Sequence, residues 1–489
     1  MEHIDVDSAP KRAKLAGGGN EDRLSALPDD VLLDVLLKTR NAADAARTSI
    51  LSSRWRRLWA FLPELHFSDG IDPRRIRPAL AAHEAPDLRC LVAIVRGASP
   101  KSMAAWLPVA VRRLSGDLVF HNTTSCGEWG RGAFQLPCFE NATALSLDLG
   151  FLVLAMPASG VFVRLTDLSL VYVQLNRVNR LGDAISSPRC PALRKLTVSH
   201  ARGLPTFIIH SESLLQLKLS NLHTLKKLTV VAPALEELTL SSCLASVMDP
   251  SQLVVNISAP ELLVLKWKDT YDPSFFELGE IAHLQCLDIG TLVVYGSGKF
   301  VYSPDSRILL QCCEAIHKLN LKVVHLSRMV YNQHLSEDMT RLPEVTFLNL
   351  VVTALSHSFG ACLFNILRMC TSVIKLAIDM SCNYEEECPS DCFCDHPPNW
   401  KFKDLILDRL QEVDIINSGG TGHEVAFLER LFSWATALEQ ITVTFDETIT
   451  ESMAMKEFRQ KLLSFSRPEI CMRFFVYRGS EKVLYVPEG

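Results

Sequence analysis

The chain has 489 residues, 48% hydrophobic and 21% charged, with a formal net charge of −5. That length exceeds one compact core and asks for two to four domains or one long repeat array. The modest charge fraction argues against a largely disordered chain, and the acidic balance argues against a whole-protein nucleic-acid binder, which carries a basic excess.

Residues 1–20 mix small and charged residues and run into Gly17-Gly18-Gly19, the composition of a disordered tail. Within it Lys11, Arg12 and Lys14 follow Pro10, a candidate nuclear-import signal whose plainer reading is a solvated basic tail. The segment has no apolar core of the kind a secretory signal needs. The odd total of 15 cysteines, scattered over the chain, does not resemble a disulfide framework. The longest apolar stretch, FLVLAMPASGVFV at 151–163, is too short to span a bilayer and contains Pro157. These features predict a reduced intracellular setting, nucleus and/or cytoplasm, without membrane contact. The sequons at Asn122, Asn141 and Asn256 are then expected to stay unmodified.

Residues 21–67 read as a compact helical unit. In LPDDVLLDVLLK, Pro28 suits the first helical position, Asp29 and Asp30 suit the positive end of the helix dipole, and Lys38 suits the other end. Val31, Leu32, Leu33, Val35, Leu36 and Leu37 wrap most of that helix, so it must be covered on several sides. Some forty residues can scarcely supply that cover alone, which implies a partner surface. A short helix is predicted around AADAARTS. A third begins at Ser52 or Ser53, with Leu51, Trp55, Leu58, Trp59 and Leu62 at helical spacing and Arg54, Arg56 and Arg57 on the remaining surface.

Arginine beside tryptophan is also a nucleic-acid signature. Across residues 22–66, however, seven basic residues face six acidic ones, which is no electrostatic footprint. No nucleic acid is therefore expected among the partners. Residues 68–139 read as a linker followed by the first irregular repeats, since the prolines near Arg74, Arg75 and Arg77 disfavour a long helix.

From residue 140 to 396 an L-x-x-L-x-L unit recurs: ATALSL at 142, LTDLSL at 165, LRKLTV at 193, LLQLKL at 214, LEELTL at 235, LLVLKW at 262 and LQCLDI at 284. It continues as IHKLNL at 316, VTFLNL at 345 and VIKLAI at 373, and then into the next region as LQEVDI at 410 and LEQITV at 438. Starts lie mostly two to three dozen residues apart, near or above the period of leucine-rich repeats. The last two apolar positions alternate as in a strand and face one side. Stacked copies make a parallel sheet over a continuous apolar layer. The fold class is thus α/β: a three-helix unit followed by an irregular, partly open solenoid arc.

No phosphate loop, dinucleotide fingerprint, zinc-protease or hydrolase motif occurs. His283, His317 and His325 lie beside repeat strands and read as scaffold residues. Cys382, Cys388, Cys392, Cys394 and His396 cluster in CNYEEECPSDCFCDHPPNW. Thiolates and imidazole ligate zinc, which makes Cys388, Cys392, Cys394 and His396 a candidate set. C-x3-C-x-C-x-H nevertheless lacks paired C-x2-C knuckles, so the favoured reading is a loop of reduced cysteines. No metal or other cofactor, and no catalytic residue, is expected.

Leu27-Pro28, the apolar helix behind them, AARTSILS, and Arg54-Trp55 with Trp59 together resemble an F-box. The region 397–480, with NWKFKDLILDRLQEVDIINSGG and its glycines Gly419, Gly420 and Gly422, is similar to the FBD region of the plant F-box/leucine-rich-repeat/FBD family. The resemblance implies a non-catalytic substrate receptor of a Skp–cullin–F-box ubiquitin ligase, binding a Skp-type adaptor, through it a cullin, and a protein substrate on the repeats. It implies adaptor contact by Leu27, Pro28, Val31 and Leu32, and a packed core and part of the interface at Leu51, Trp55, Leu58 and Trp59. The alternatives are a nuclear nucleic-acid-binding regulator and an adaptor-independent repeat scaffold.

Overall fold

A computed structural model describes residues 27–52, 54–123, 132–176, 181–244, 253–269, 271–279, 281–293, 306–325, 342–354, 357–380, 398–447, 453–479 and 481–485. The basic tail with Lys11, Arg12 and Lys14 lies outside the described residues, as does the Cys382–His396 run.

The first helix, Asp29–Lys38, has its two aspartates in the first turn and Lys38 in the last. Pro28 is its extended N-cap residue, one position earlier than the spacing predicts. The second helix, Ala42–Arg47, is capped by Asn41, whose side chain accepts from the Ala43 N–H at 2.9 Å. The third region is not one continuous helix. A 3₁₀ turn at Thr48–Ile50 is followed by a short α-helix at Trp55–Leu58 and a second 3₁₀ turn at Trp59–Phe61. Ser52 Oγ accepts from the Trp55 N–H at a long 3.5 Å, but the N-cap residue of that helix is Arg54, without a side-chain cap bond, so Ser52 is not the cap the sequence predicts.

Among the described residues the main sheet has 17 strands. It runs in chain order from Glu64–Ile71 to Cys471–Arg478 with every pairing parallel, and closes with the antiparallel strand Glu481–Leu484. All twelve L-x-x-L-x-L copies fall on its strands. Their first strand leucine stacks in register through Leu145, Leu168, Leu196, Leu217, Leu238 and Leu265. The row continues through Leu287, Leu319, Leu348 and Leu376 to Val413 and Ile441. These residues are buried because each repeat covers the apolar face of the previous one.

Three findings extend or correct the sequence reading. The row starts well before residue 140, at Leu65, Leu91 and Leu118, whose strands obscure the six-residue unit with extra length and bulges. Residues 73–82, predicted as loop, form a 3₁₀ turn at Pro73–Arg75 and a helix at Ile76–Ala82. Their prolines stand at the first position of the turn and in the first turn of the helix, where a missing N–H costs nothing. The helix anchors Ile76 and Leu80, both fully buried. Finally, the strands of region 397–480 continue the same sheet rather than forming a separate one.

The opposite side of the arc changes character along the chain. Between residues 206 and 278 it is a second, four-stranded parallel sheet. Toward the C-terminus it carries the helices Gly360–Met369 and Gly422–Trp434, packed around Trp400, Trp434 and Phe427. Gly360 is required there, because a Cβ would overlap the Trp400 ring.

Candidate functional site

The helical unit sits on the first strand of the arc and is tied to it by backbone. The Ala60 carbonyl accepts from the Glu84 and Ala85 N–H groups at 2.7 and 3.0 Å, and the Pro63 carbonyl from Arg89 at 2.7 Å. His83 Nε2 bonds the Leu62 carbonyl at 2.6 Å, and burial lowers the pKa of that imidazole. Arg113 binds the carbonyls of Leu80, His83 and Ala85. The two parts therefore share one hydrophobic core.

That docking divides the predicted interface residues into two groups. Leu32, Trp55 and Leu58 are buried inside the chain, and Leu27 and Trp59 are half-buried against the same core. Pro28 is exposed. Val31 is 39% exposed and Leu51 61%. Beside them lie three residues absent from the predicted set: Val35 at 43%, Ile50 at 88% and Phe61, also exposed. Helical spacing placed Leu51 with Trp55 and Leu58 on one buried face. The intervening 3₁₀ turn instead turns Ile50 and Leu51 outward. A signal for Val35 was present: Val31 and Val35 are four apart and share a helix face, next to the face of Leu32 and Leu36.

Three arginines of the opening helical unit are engaged within the chain. Arg54 bonds the Asp29 carboxylate at 2.6–2.7 Å and the Leu27 carbonyl at 2.6 Å, joining the start of the first helix to the third region. Arg57 pairs with Glu84 at 2.6 Å, and Arg47 with Asp44 at 2.9 Å.

The second candidate surface is the face of the main sheet opposite the leucine row. Its side chains pair from strand to strand. Lys266 meets Glu237 at 2.6 Å, and the hydrogen bond to Glu237 raises its pKa. Lys375 meets Glu412 at 3.0 Å and Asp414 at 3.2 Å. Asn349 donates to Asn320 at 3.0 Å, and Lys318 lies 4.6 Å over the Phe347 ring. At one rim, residues that follow successive strands adopt left-handed backbone: Phe151, Tyr172, His200, Asn221 and Ser242. The first three form an aromatic stack, with ring centroids 5.3 Å and then 4.6 Å apart and the Arg202 guanidinium 4.1 Å from the Phe151 ring. The histidines read as scaffold differ among themselves. His283 is exposed, His317 shares a 2.7 Å contact with Thr346, and His325 is buried 6.3 Å from the His357 ring.

Asn122, the first sequon, is buried and spends its amide on Ala98, accepting from the N–H at 2.7 Å and donating to the carbonyl at 3.2 Å. The described cysteines are free thiols. Burial pushes Cys190, Cys243, Cys362 and Cys370 up to about 12, marking them as core residues rather than nucleophiles. Among the described residues no helix is long and apolar enough to cross a membrane.

Residues 103–282 match a family model described as FBD-associated F-box protein At5g56370, LRR repeats. Among curated relatives from Arabidopsis thaliana, an FBD-associated F-box protein, At1g05080, is 27% identical over 61% of this chain and 63% of its own length. An F-box/FBD/LRR-repeat protein, At4g03220, is 31% identical over 50% of this chain and 51% of its length. An F-box/LRR-repeat protein, At4g15060, is 30% identical over 51% and 63% respectively. The matched segments thus span about half to just under two thirds of these relatives.

Proposed function

The chain is a relative of the plant F-box/FBD/LRR-repeat proteins, and from that premise we propose that it is a non-catalytic substrate receptor of a Skp–cullin–F-box ubiquitin ligase. The helical unit docks a Skp-type adaptor, and the polar face and rim of the arc hold a protein substrate. One observation carries this reading: Pro28, Val31, Val35, Ile50, Leu51 and Phe61 remain exposed on a unit whose Leu32, Leu36, Trp55 and Leu58 are buried. Exposed apolar side chains gathered at one end of a folded chain mark a protein interface. Leu27, Leu32, Trp55, Leu58 and Trp59 act from beneath, holding the contact residues in place. Internal pairing of Arg54 and Arg57 supports a protein partner over a phosphate backbone.

The test is co-purification with a Skp-type adaptor. Ile50→Asp with Leu51→Asp abolishes capture of the adaptor while leaving the unfolding temperature unchanged, because both side chains stand in solvent. Leu27→Ala with Pro28→Ala loses capture as well. Undiminished capture by both double variants, or no capture by the unaltered chain, would overturn the reading and favour an adaptor-independent scaffold. Affinity purification under proteasome inhibition, read by mass spectrometry, identifies the substrate.

A further inference from the structure

Where the helical unit meets the arc, three ligand-type side chains converge on the polar face of the first two strands. Glu64 and His66 stand two residues apart on the strand Glu64–Ile71, and Cys90 stands on Leu88–Arg96 in register with Glu64. Alternation puts all three on one face, since Leu65 and Leu91 point into the core. The His66 imidazole nitrogen, a Glu64 carboxylate oxygen and the Cys90 sulfur all lie within 4.8 Å of one another, and all three residues are half-buried. His66 Nε2 and Glu64 Oε2 are 3.2 Å apart. Two such ligands bonded to a tetrahedral zinc ion stand roughly 3.3 Å apart, so this edge is already at coordination distance.

We propose that Glu64, His66 and Cys90 bind a zinc ion, with a fourth position open to water, and that this ion staples the first two strands of the arc beneath the helical unit. A thiolate with an imidazole selects zinc over the hard cations magnesium and calcium, which want oxygen ligands alone. The surroundings fit a cation. The carboxylate of Asp117 stands in register beside Cys90 and is held by a 2.9 Å bond from Thr143 Oγ1. Binding breaks the S–H bond, forms a Zn–S bond and releases the proton to buffer. Glu64 and His66 also line a cleft against Leu36, Thr39, Arg40, Asn41 and Ala45 of the helical unit, so the ion would stiffen the joint between the two parts. None of this depends on what the helical unit binds.

The test uses the full chain, stripped with chelator and reloaded with zinc, then with cobalt. The expected result is one zinc per chain at this site, one proton released on binding and a thiolate-to-cobalt charge-transfer band. Cys90→Ser abolishes the band and removes one equivalent of zinc. His66→Gln weakens zinc by more than roughly tenfold and serves as the second variant should Cys90→Ser fail to fold. Cys388→Ser with Cys392→Ser separates this site from the cysteine-rich run, and leaves the Cys90-dependent band and equivalent intact. Zinc uptake unchanged in both the Cys90 and His66 variants, or no uptake by the unaltered chain, overturns the proposal.

Discussion

The helical unit at residues 27–62 and the repeat arc behind it treat the same residue types in opposite ways. In the arc, the leucine row from Leu65 to Ile441 is shut from solvent. In the helical unit, Val31, Val35, Ile50 and Leu51 stand in water although their stretch of sequence is equally apolar. The difference is one of position. A repeat inside a stack is covered by a neighbour on each side, so its apolar face is always buried. The helical unit caps one end of the stack and has no repeat on its outer side, so part of its apolar surface stays exposed.

Breaking the row should cost the most. Leu238→Ala removes a fully buried side chain between Leu217 and Leu265, and is expected to lower unfolding free energy by about 2–5 kcal/mol in denaturant titration. A cost under 0.5 kcal/mol would mean the stack is not packed as described.

A middle-sized effect is expected at the buried carboxylate of the C-terminal repeats. Glu424 accepts from Ser418 Oγ at 2.6 Å, from the Gly419 and Gly420 N–H groups at 3.2 and 3.1 Å and from Thr421 Oγ1 at 3.2 Å. Thr421 Oγ1 in turn caps the helix by accepting from the Glu424 N–H at 3.3 Å. Thr421 thus supplies the N-cap half of a capping box, while Glu424 reaches back to the two glycine N–H groups that precede the cap. Glu424→Gln places an NH₂ group among donors and should cost about 1–3 kcal/mol. Burial nevertheless raises the pKa of this carboxyl above the ordinary value, against the opposing effect of its hydrogen bonds. A raised folded pKa contributes stability that is fully present below the unfolded value, about 4.3, and is lost as pH climbs through the folded value. The gap between the two proteins is therefore widest near pH 4 and narrows toward neutrality. Thermal melts across that range check the sign.

The smallest stability effects belong to the helical unit's surface. Arg54→Ala removes a half-exposed ion pair to Asp29 and a bond to the Leu27 carbonyl, an expected loss of about 0.2–1 kcal/mol. Ile50→Asp with Leu51→Asp should move stability by no more than about 0.5 kcal/mol. The comparison is sharpest here: the substitutions that matter least to folding are the ones expected to abolish adaptor capture. If they unfold the protein, the exposed surface is part of its own core and the contrast fails.

Much of the arc was legible because a strand's face is set by a period of two, and each copy shows it within six residues. The three earliest strands hid from that pattern. In LRCLVAI and LSGDLVF the buried residues alternate only from Leu91 and Leu118 onward, and bulges at Leu88/Cys90 and Phe67/Ile71 shift the register against the next strand. The helix Ile76–Ala82 was missed because its prolines read as breakers, whereas proline in a first turn breaks nothing.

The sequence by itself determined which residues are apolar, how they alternate, and hence that this chain stacks strands into a parallel arc behind a helical cap. It also carried the repeat segment, residues 103–282, that matches the family model. Only the tertiary structure decided which apolar side chains of the cap are left outside. Leu32 and Val31 are neighbours in the chain, yet one is sealed and one is open, because burial depends on what the helix lies against. It likewise decided that His66 and Cys90 meet, since residues two dozen positions apart come together only when parallel strands settle into register.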